Sequence, residues 1–361
     1  MKQRIYVKTK ELENFTVTIL KNHGLNENDS VITASVLLSA DRRGIESHGV
    51  ARLKRYVDGI RNGIIKLSPK VSTVVETPVS LVVDGGGGMG QPIAYNTMKR
   101  CIEKAKNNMI CFASVRNSNH YGIAGYYTLM ALEKNMIGIS LTNSAPLVVP
   151  TFAKDAVIGT NPISIGIPAD KQRPFLLDMA TSTVPRGKLE VYSRTEDPIP
   201  DSWATDENGI PTDNSLKVLD NLLNRRGGGL LPLGGGTEMT GGHKGYGLGS
   251  VVDIFSGILS SGAFGKNVYG KKGEPPEVAH FLGAINLEAF MGKDEIKKNM
   301  DTYIEMLKSS NKADGQDKIF VAGEKEYIAN EKNSEKLSIQ SKVFDILNEL
   351  GEEFNIKLEG E

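Results

Sequence analysis

The sequence predicts an α/β protein in which a mixed sheet domain is flanked by helical segments from both ends of the chain. Apolar residues recur at helical spacing through the first seventy residues and again over 294–308 and 335–350. Between these regions, short apolar runs that are typical of strands alternate with helices. A chain of 361 residues exceeds the usual size of a single core, so we expect two domains. They are a discontinuous helical domain (1–72 and 290–361) and a mixed α/β domain (73–289).

The first segment is expected to be entirely helical. Thr9 has the character of an N-cap, and Leu12, Phe15 and Ile19 follow on one face up to Gly24. Asn26 is expected to cap a second helix that ends at Gly44. Ser47 is expected to cap a third helix that runs to about Gly63.

The middle of the chain alternates strands with helices. Helices are expected over 92–107, 124–134 and 248–259. The segments that the pattern predicts as strands are 79–84, 109–116, 136–142, 156–168 and 174–179.

Composition excludes several classes of function. Lys+Arg and Asp+Glu both total 43, so a chain-wide nucleic-acid or anionic-membrane footprint is not expected. No uninterrupted apolar run approaches the length of a membrane span, and the first residues do not resemble a signal peptide. Two cysteines are too few for a disulfide framework, which fits a reducing cytoplasm. The five histidines show no metal-ligand spacing, so no metal site is expected.

The run from Gly85 to Gly90 satisfies the G-x-G-x-x-G pattern between a predicted strand and a predicted helix. A run this rich in glycine matches the pattern easily, and Arg116 stands near the place where a Rossmann domain has an acid. Pro92 also removes an N–H group near the helix start. We therefore interpret the run as a tight turn with close helix packing in preference to a phosphate-binding loop.

The candidate catalytic residues are His48, Arg52 and Tyr56. At helical spacing these residues share one stripe, which brings an imidazole, a guanidinium and a phenol together. A position in the first helical turn would lower the pKa of His48 and favour a neutral base near pH 7. Arg52 would bind a carboxylate through its fork of donors. A solvated helix surface explains the same spacing equally well.

Polar loops also follow several of the predicted strands. In α/β proteins, ligands bind in crevices that such loops form at the ends of the strands. They lie at 117–126, 143–146, 159–162 and 178–182. A further glycine-flanked loop at 241–247 contains Lys244, which either meets a phosphate or lies in water.

Five ordered segments resemble the malate/L-lactate dehydrogenase family that is unrelated to the Rossmann-type enzymes of the same names. They cover nearly the whole chain and are far more specific than the glycine pattern. The segments are ESHGVARLKRYVDGIRNG (46–63), NSNHYGIAGYY (117–127), GTNPISIGIP (159–168), LLDMATSTVPRGK (176–188), and LLPLGG with GGHKGYGL (230–235, 241–248).

The resemblance implies a three-layer domain with a mixed, non-Rossmann sheet, bound NAD or NADP, and a homodimer. It implies that His48 is the proton donor and acceptor, and that Ser47, Arg52, Tyr56 and His120 line the substrate pocket. The cofactor contacts that it implies are His120, Thr160, Asn161, Asp178, Met179, Ala180, Thr181, His243, Lys244, Gly323 and Glu324. Two departures affect this set: Ala322 replaces the usual proline before Gly323, and residues 236–240 form an insertion that only some members have.

The expected reaction is hydride transfer between a nicotinamide and C2 of a small 2-hydroxy or 2-oxo acid, with malate and oxaloacetate as the leading pair. Lactate, sulfolactate, ureidoglycolate or diketogulonate chemistry, or reduction of a cyclic imine, are the alternatives on the same scaffold. A non-catalytic nucleotide-binding protein is disfavoured because His48, Arg52 and His120 occur together. Arg116, Arg186 and Lys188 are candidates to meet the 2′-phosphate of NADP.

Overall fold

The computed structural model describes residues 4–269 and 275–361. Its strands are β1 (Arg4–Lys8), β2 (Ser72–Glu76), β3 (Ser80–Asp84), β4 (Ile110–Ser118), β5 (Met136–Thr142), β6 (Ile163–Ile167), β7 (Phe175–Met179), β8 (Ala204–Thr205), β9 (Gly229–Leu230), β10 (Val278–Asn286) and β11 (Lys336–Gln340). Its α-helices are α1 (Thr9–Asn22), α2 (Glu27–Arg42), α3 (Leu53–Arg61), α4 (Gly90–Asn108), α5 (Ala124–Leu132), α6 (Arg186–Thr195), α7 (Ser215–Asn224), α8 (Gly242–Asp253), α9 (Lys293–Lys308), α10 (Glu324–Lys332) and α11 (Ser341–Glu352).

A mixed sheet forms the centre of the molecule, with the strand order β2-β3-β4-β10-β5-β6-β7 in the described part of the chain. β3 and β4 are parallel, whereas the other neighbouring strands are antiparallel. β10 comes from a distant part of the chain and lies between β4 and β5. A Rossmann domain has a mostly parallel, doubly wound sheet, so this topology confirms the predicted non-Rossmann fold.

Helices cover both faces of this sheet and produce three layers. On one face α4 and α5 pack through Met98 and Tyr127 against Val115 and Leu282. The neighbouring strand residues point to the opposite face because side chains alternate along a strand. There Phe281 packs against Val252 of α8, close to a π-helical segment at Ile254–Ile258. The three-layer prediction is therefore confirmed.

The two ends of the chain meet in a separate hydrophobic cluster. Leu12 of α1, Leu37 of α2 and Tyr56 of α3 are buried in it together with Ile339 of β11 and Leu347 of α11. This mixing supports the predicted discontinuous domain, and we keep the boundaries 1–72, 73–289 and 290–361 as a proposal.

Strand pairing at the chain ends corrects two predictions. The first seventy residues are not entirely helical, because β1 pairs antiparallel with β11 and begins the fold. The segment 335–350 is not one helix either, since it contains β11 and the start of α11. Leu337 and Ile339 are buried and alternate with more exposed neighbours, a period of two that the surrounding helical pattern obscured.

The ends of several other helices and strands differ from the predicted ones. Thr9 is the first residue of α1, and Lys8 takes the N-cap position. The strand predicted over 156–168 shortens to β6, since Asn161 has a φ of 35° and Pro162 has no N–H for a ladder. The helix predicted over 248–259 begins earlier, at Gly242, and its last part is the π-helical segment Ile254–Ile258. In the described residues, no helix has both the length and the apolar character that crossing a bilayer requires.

Candidate active site

The segment that carries His48 is not the continuous helix predicted from Ser47. It forms two short 3₁₀ turns at Glu46–His48 and Val50–Arg52, and α3 follows. Gly49 separates the turns with φ −86° and ψ −152°, which is extended backbone. The prediction that His48, Arg52 and Tyr56 share one face of a single helix is therefore wrong. The structure nevertheless brings the three side chains close to one another.

Short hydrogen bonds hold the first part of the site. Ser47 Oγ lies 2.9 Å from His48 Nδ1. Arg52 Nε donates to the carbonyl oxygen of Ser47 at 2.6 Å, which turns the guanidinium back toward the His48 turn. Because Nε is committed to this bond, the terminal guanidinium nitrogens are the part of Arg52 suited to bind an anion.

The second imidazole comes from the loop after β4. The His120 ring stacks on the His48 ring with 5.5 Å between centroids. Its Nδ1 lies 2.7 Å from the hydroxyl of buried Tyr56 and accepts a longer bond from the N–H of Gly122 at 3.3 Å. Because the Gly122 N–H can only donate, Nδ1 is the acceptor in a neutral His120, which assigns its proton to Nε2 and makes the Tyr56 hydroxyl a second donor.

Burial and nearby cations control protonation in this cluster. Burial, followed by the charges of Arg52 and Arg55, lowers the pKa of His48 to about 4. Burial also lowers the pKa of His120 well below its usual value and raises that of Tyr56 to about 12. Both imidazoles are therefore neutral at pH 7. The α-helix N-terminus invoked for His48 is not the cause, since α3 begins only at Leu53.

The glycine-rich run supports the loop that carries His120. The N–H groups of Gly85 and Gly87 donate to the carbonyl oxygens of Arg116 and Asn117 at 2.9 and 2.8 Å. A Cβ at Gly90 would overlap the backbone carbonyls of Asn119 and His120. The interpretation as a tight turn with close packing is therefore confirmed.

Three of the expected cofactor residues lie between β6, β7 and α8. Thr181 donates its N–H to the carbonyl of Thr160 at 2.9 Å. The amide of fully buried Asn161 donates to the carbonyl of Gly249 in α8 at 2.9 Å, so that side chain is used inside the protein. His243 and Lys244 are exposed in the first turn of α8, and Met179 and Ala180 are half-buried at the end of β7.

Asp178 of β7 contacts the start of α5, where its Oδ2 accepts the N–H of Gly125 at 2.8 Å. Burial of the carboxyl raises its pKa to about 6, against the opposing effects of that hydrogen bond and of Arg43. Because Gly125 follows His120 by five residues, this bond connects the β7 end to the His120 loop.

The turn at Gly323 packs against Leu176 of β7, and a Cβ there would collide with that residue. Glu324 is 7% exposed and binds Lys308 at 3.0 Å and Lys318 at 2.8 Å. Although burial acts in the opposite direction, these bonds lower the pKa of Glu324 to about 2. Within the described residues no hydrogen bond joins this turn to His48 or His120, so the turn and the imidazoles form separate groups.

Two residues outside the predicted set, Asp41 and Arg55, also act on the His48 turn. Arg55 contributes to the low pKa of His48, and Asp41 accepts the N–H of Val50 directly below the His48 turn. A signal for Asp41 was present, because a charged residue follows the apolar run Val36-Leu37-Leu38 near the end of α2. An acid at such a position is rarely buried without a partner.

Known proteins match this chain along nearly its whole length. The malate/L-lactate dehydrogenase family profile matches residues 7–348. A malate dehydrogenase of Pyrococcus abyssi is 48% identical over 96% of this chain and 94% of its own. An L-sulfolactate dehydrogenase of Methanocaldococcus jannaschii is 35% identical over 98% of both chains.

Solved structures agree with the sequence matches. The crystal structure of malate dehydrogenase from Entamoeba histolytica superimposes with a TM-score of 0.94 at 36% identity and covers 99% of both chains. The chain therefore belongs to the malate/L-lactate dehydrogenase family, and it is a 2-hydroxy acid dehydrogenase for which the family implies a nicotinamide cofactor.

Proposed function

We propose that this protein interconverts malate and oxaloacetate with NAD or NADP. The observation that carries the proposal is the pairing of a neutral, half-buried His48 with an arginine whose Nε is fixed by the Ser47 carbonyl. This pairing offers one proton acceptor and one carboxylate-binding group on the same short turn. The name of the Pyrococcus abyssi relative supports malate as the substrate.

His48 takes the proton of the substrate hydroxyl during oxidation, and its protonated form returns a proton to the C2 oxygen during reduction. The terminal guanidinium nitrogens of Arg52 hold the C1 carboxylate and so orient C2. Ser47 orients the His48 ring through its hydroxyl. The Gly122 N–H fixes the tautomer of His120 and the Tyr56 hydroxyl helps to hold its ring, so that Nε2–H donates to the substrate oxygen.

The nicotinamide, when bound, supplies hydride acceptance or donation at C2. The donors at α8 fit the diphosphate of a dinucleotide, because the first turn of a helix carries partial positive charge and Lys244 adds a full one. For the rest of the cofactor we propose residues that lie shortly before β6 or around the end of β7. They are Thr160, Asp178, Met179, Ala180 and Thr181. The proposed set is completed by His120, His243, Gly323 and Glu324, and by Asn161, whose buried side chain bonds α8 and so holds this part of the site in place.

The preference between NAD and NADP depends on cations near the adenosine ribose. Arg116 is engaged with Asp84 at 3.0 Å and with the Ser260 carbonyl at 3.3 Å, which disfavours it as a 2′-phosphate ligand. Arg186 pairs with Glu190 at 3.2 Å on the surface of α6. Lys188 is exposed and is the remaining candidate.

A panel of substrates and cofactors tests the proposal. The purified protein is assayed with NADH and with NADPH against oxaloacetate, sulfopyruvate, pyruvate and a cyclic imino acid. We expect the highest kcat/KM with oxaloacetate. A higher value with sulfopyruvate would move the assignment toward the activity named for the Methanocaldococcus relative, and turnover of the imine alone would overturn it.

We propose that the protein is a homodimer in the cytoplasm. Apolar side chains exposed along α8 and the π-helical segment support association, among them Leu248, Val251, Phe255 and Ile258. Light scattering should give twice the 39.2 kDa mass of the chain, and the single mass would contradict the dimer. The free thiols Cys101 and Cys111 are consistent with a reducing compartment.

A further inference from the structure

A buried carboxyl group lies directly beneath the turn that carries His48. Asp41, near the end of α2, is 6% exposed. Its Oδ2 accepts the backbone N–H of Val50 at 2.7 Å. Burial is the main influence on this group and raises its pKa to about 7, while the bond to Val50 acts in the opposite direction. Burying a carboxyl group in this way is costly, so its position calls for an explanation.

Gly49 lies in contact with the same carboxyl group. A Cβ at this position would overlap the Oδ1, Cγ and Oδ2 atoms of Asp41. The φ of Gly49 is −86°, a value that any amino acid adopts, so backbone conformation does not require glycine here. The requirement comes from the close approach of the Asp41 carboxyl to the chain.

These two contacts act at the break between the 3₁₀ turns. His48 precedes Gly49, and Arg52 follows Val50 by two residues. The bond to Val50 satisfies the first N–H of the second turn, as a capping side chain does for a helix. Holding the break at this point fixes the directions in which His48 and Arg52 leave the backbone.

We propose that Asp41 is a positioning residue for the reaction, which holds the Gly49-Val50 peptide so that His48 and Arg52 reach the substrate in the required geometry. The inference rests on the proposed function for the roles of those two residues. The contact between Asp41 and Gly49 is independent of those roles, so it is tested separately below.

A double-mutant cycle tests the contact and its effect on catalysis. The variants are Asp41→Ala, Gly49→Ala and the double variant, assayed with oxaloacetate and NADH. A displacement of about 1 Å at a reacting group costs about a hundredfold, so each single variant should lose about that factor in kcat/KM. Removing the carboxyl makes room for the Cβ, so the double variant should stay within about threefold of Asp41→Ala.

A conservative substitution separates positioning from loss of structure. Asp41→Asn keeps an oxygen that accepts the Val50 N–H, so it should recover activity to within about tenfold of the wild type. The affinity for NADH, measured by fluorescence titration, should change by less than about twofold in every variant. The loss should therefore appear in turnover of the acid and not in cofactor binding.

The matched control is Asp58→Asn. Asp58 lies in α3, which follows the two 3₁₀ turns, and in the described contacts its carboxylate binds only Lys54 at the surface. It should retain wild-type kcat/KM. If Asp41→Ala does not fold, Asp41→Ser replaces it in the cycle, since serine also removes the carboxyl group.

Two outcomes would overturn the inference. One is a loss in the double variant equal to the product of the two single losses, about ten-thousandfold. The other is an Asp41→Ala protein that keeps kcat/KM within about threefold of the wild type. A wild-type protein inactive with oxaloacetate would contradict the proposed function instead, and the same cycle read as melting temperature would still test the Asp41–Gly49 contact.

Discussion

At the residue scale, the two imidazoles differ in what holds them. His120 has its Nδ1 occupied by Tyr56 and Gly122, so its orientation and tautomer are fixed. Among the described residues His48 has one side-chain hydrogen-bond partner, Ser47, and it is half-buried beside two arginines. His48 is therefore the ring better suited to exchange a proton with a substrate, and His120 the ring better suited to donate a fixed hydrogen bond.

The low pKa of His48 makes a directional prediction for pH dependence. A pKa lowered to about 4 keeps the base form populated from neutral pH down to about pH 5, so kcat/KM for malate oxidation should not fall with an ordinary histidine pKa near 6.5. Oxaloacetate reduction needs the protonated form, so its kcat/KM should rise as the pH falls from about 8 to about 5. Steady-state rates across this range check both directions, and an oxidation profile with a limb near 6.5 would contradict them.

Arg52→Lys tests the carboxylate-binding role. Lysine cannot keep the bond from Nε to the Ser47 carbonyl and also present a fork of donors, so kcat/KM for oxaloacetate should fall about a hundredfold with little change in NADH affinity. Arg55→Lys is the control, since the Arg55 guanidinium bonds the Tyr269 hydroxyl at the surface and the charge near His48 is kept. An unchanged kcat/KM in Arg52→Lys would place the carboxylate-binding group elsewhere.

At the element scale, the residues that lie together in the candidate site could be predicted from the sequence. The secondary structure that places them there could not. The stripe of His48, Arg52 and Tyr56 was expected on one helix, whereas two 3₁₀ turns and a helix carry it. Helical periodicity cannot detect such a break, because the residues there contact Asp41, which belongs to another helix. The glycine-rich run was interpreted correctly, since the proline beside it and the missing acid are local signals.

The first turn of α8 allows a prediction about the cofactor. Replacing Lys244 with glutamine should weaken NADH binding about tenfold, because a charge-assisted bond to phosphate contributes about 1.5 kcal/mol or more. The difference should shrink as salt is raised. Lys10→Gln is the control, as Lys10 is an exposed lysine in the first turn of α1 that pairs with Glu13. Equal NADH affinity in the two variants would exclude Lys244 from the cofactor site.

At the scale of the whole molecule, long-range pairing was the part that the sequence could not supply. β1 and β11 are separated by more than three hundred residues, and each is only five residues long. Short strands beside amphipathic helices give weak periodic signals, so both were taken as helical or left unassigned. The three-layer core was predictable because the strands of the middle segment are strongly apolar and the family motifs occur in order.

Leu337→Ala tests whether the paired chain ends stabilise the fold. Leu337 is 2% exposed in β11 and packs in the cluster shared by both ends, so its truncation should lower the free energy of unfolding by about 3 kcal/mol. Val75→Ala on the exposed β2 should change it by less than about 0.5 kcal/mol. Denaturant unfolding followed by circular dichroism gives both values. A Leu337→Ala loss as small as that of the control would mean that the β1–β11 ladder contributes little.

The proposed mechanism depends on proton transfer by His48 in a dehydrogenase reaction on a 2-hydroxy acid. The most direct test is kcat/KM for oxaloacetate reduction in His48→Gln, with NADH affinity measured on the same preparation. We expect a loss of about a hundredfold to ten-thousandfold with NADH binding intact. A His48→Gln protein that reduces oxaloacetate at near wild-type kcat/KM would contradict it.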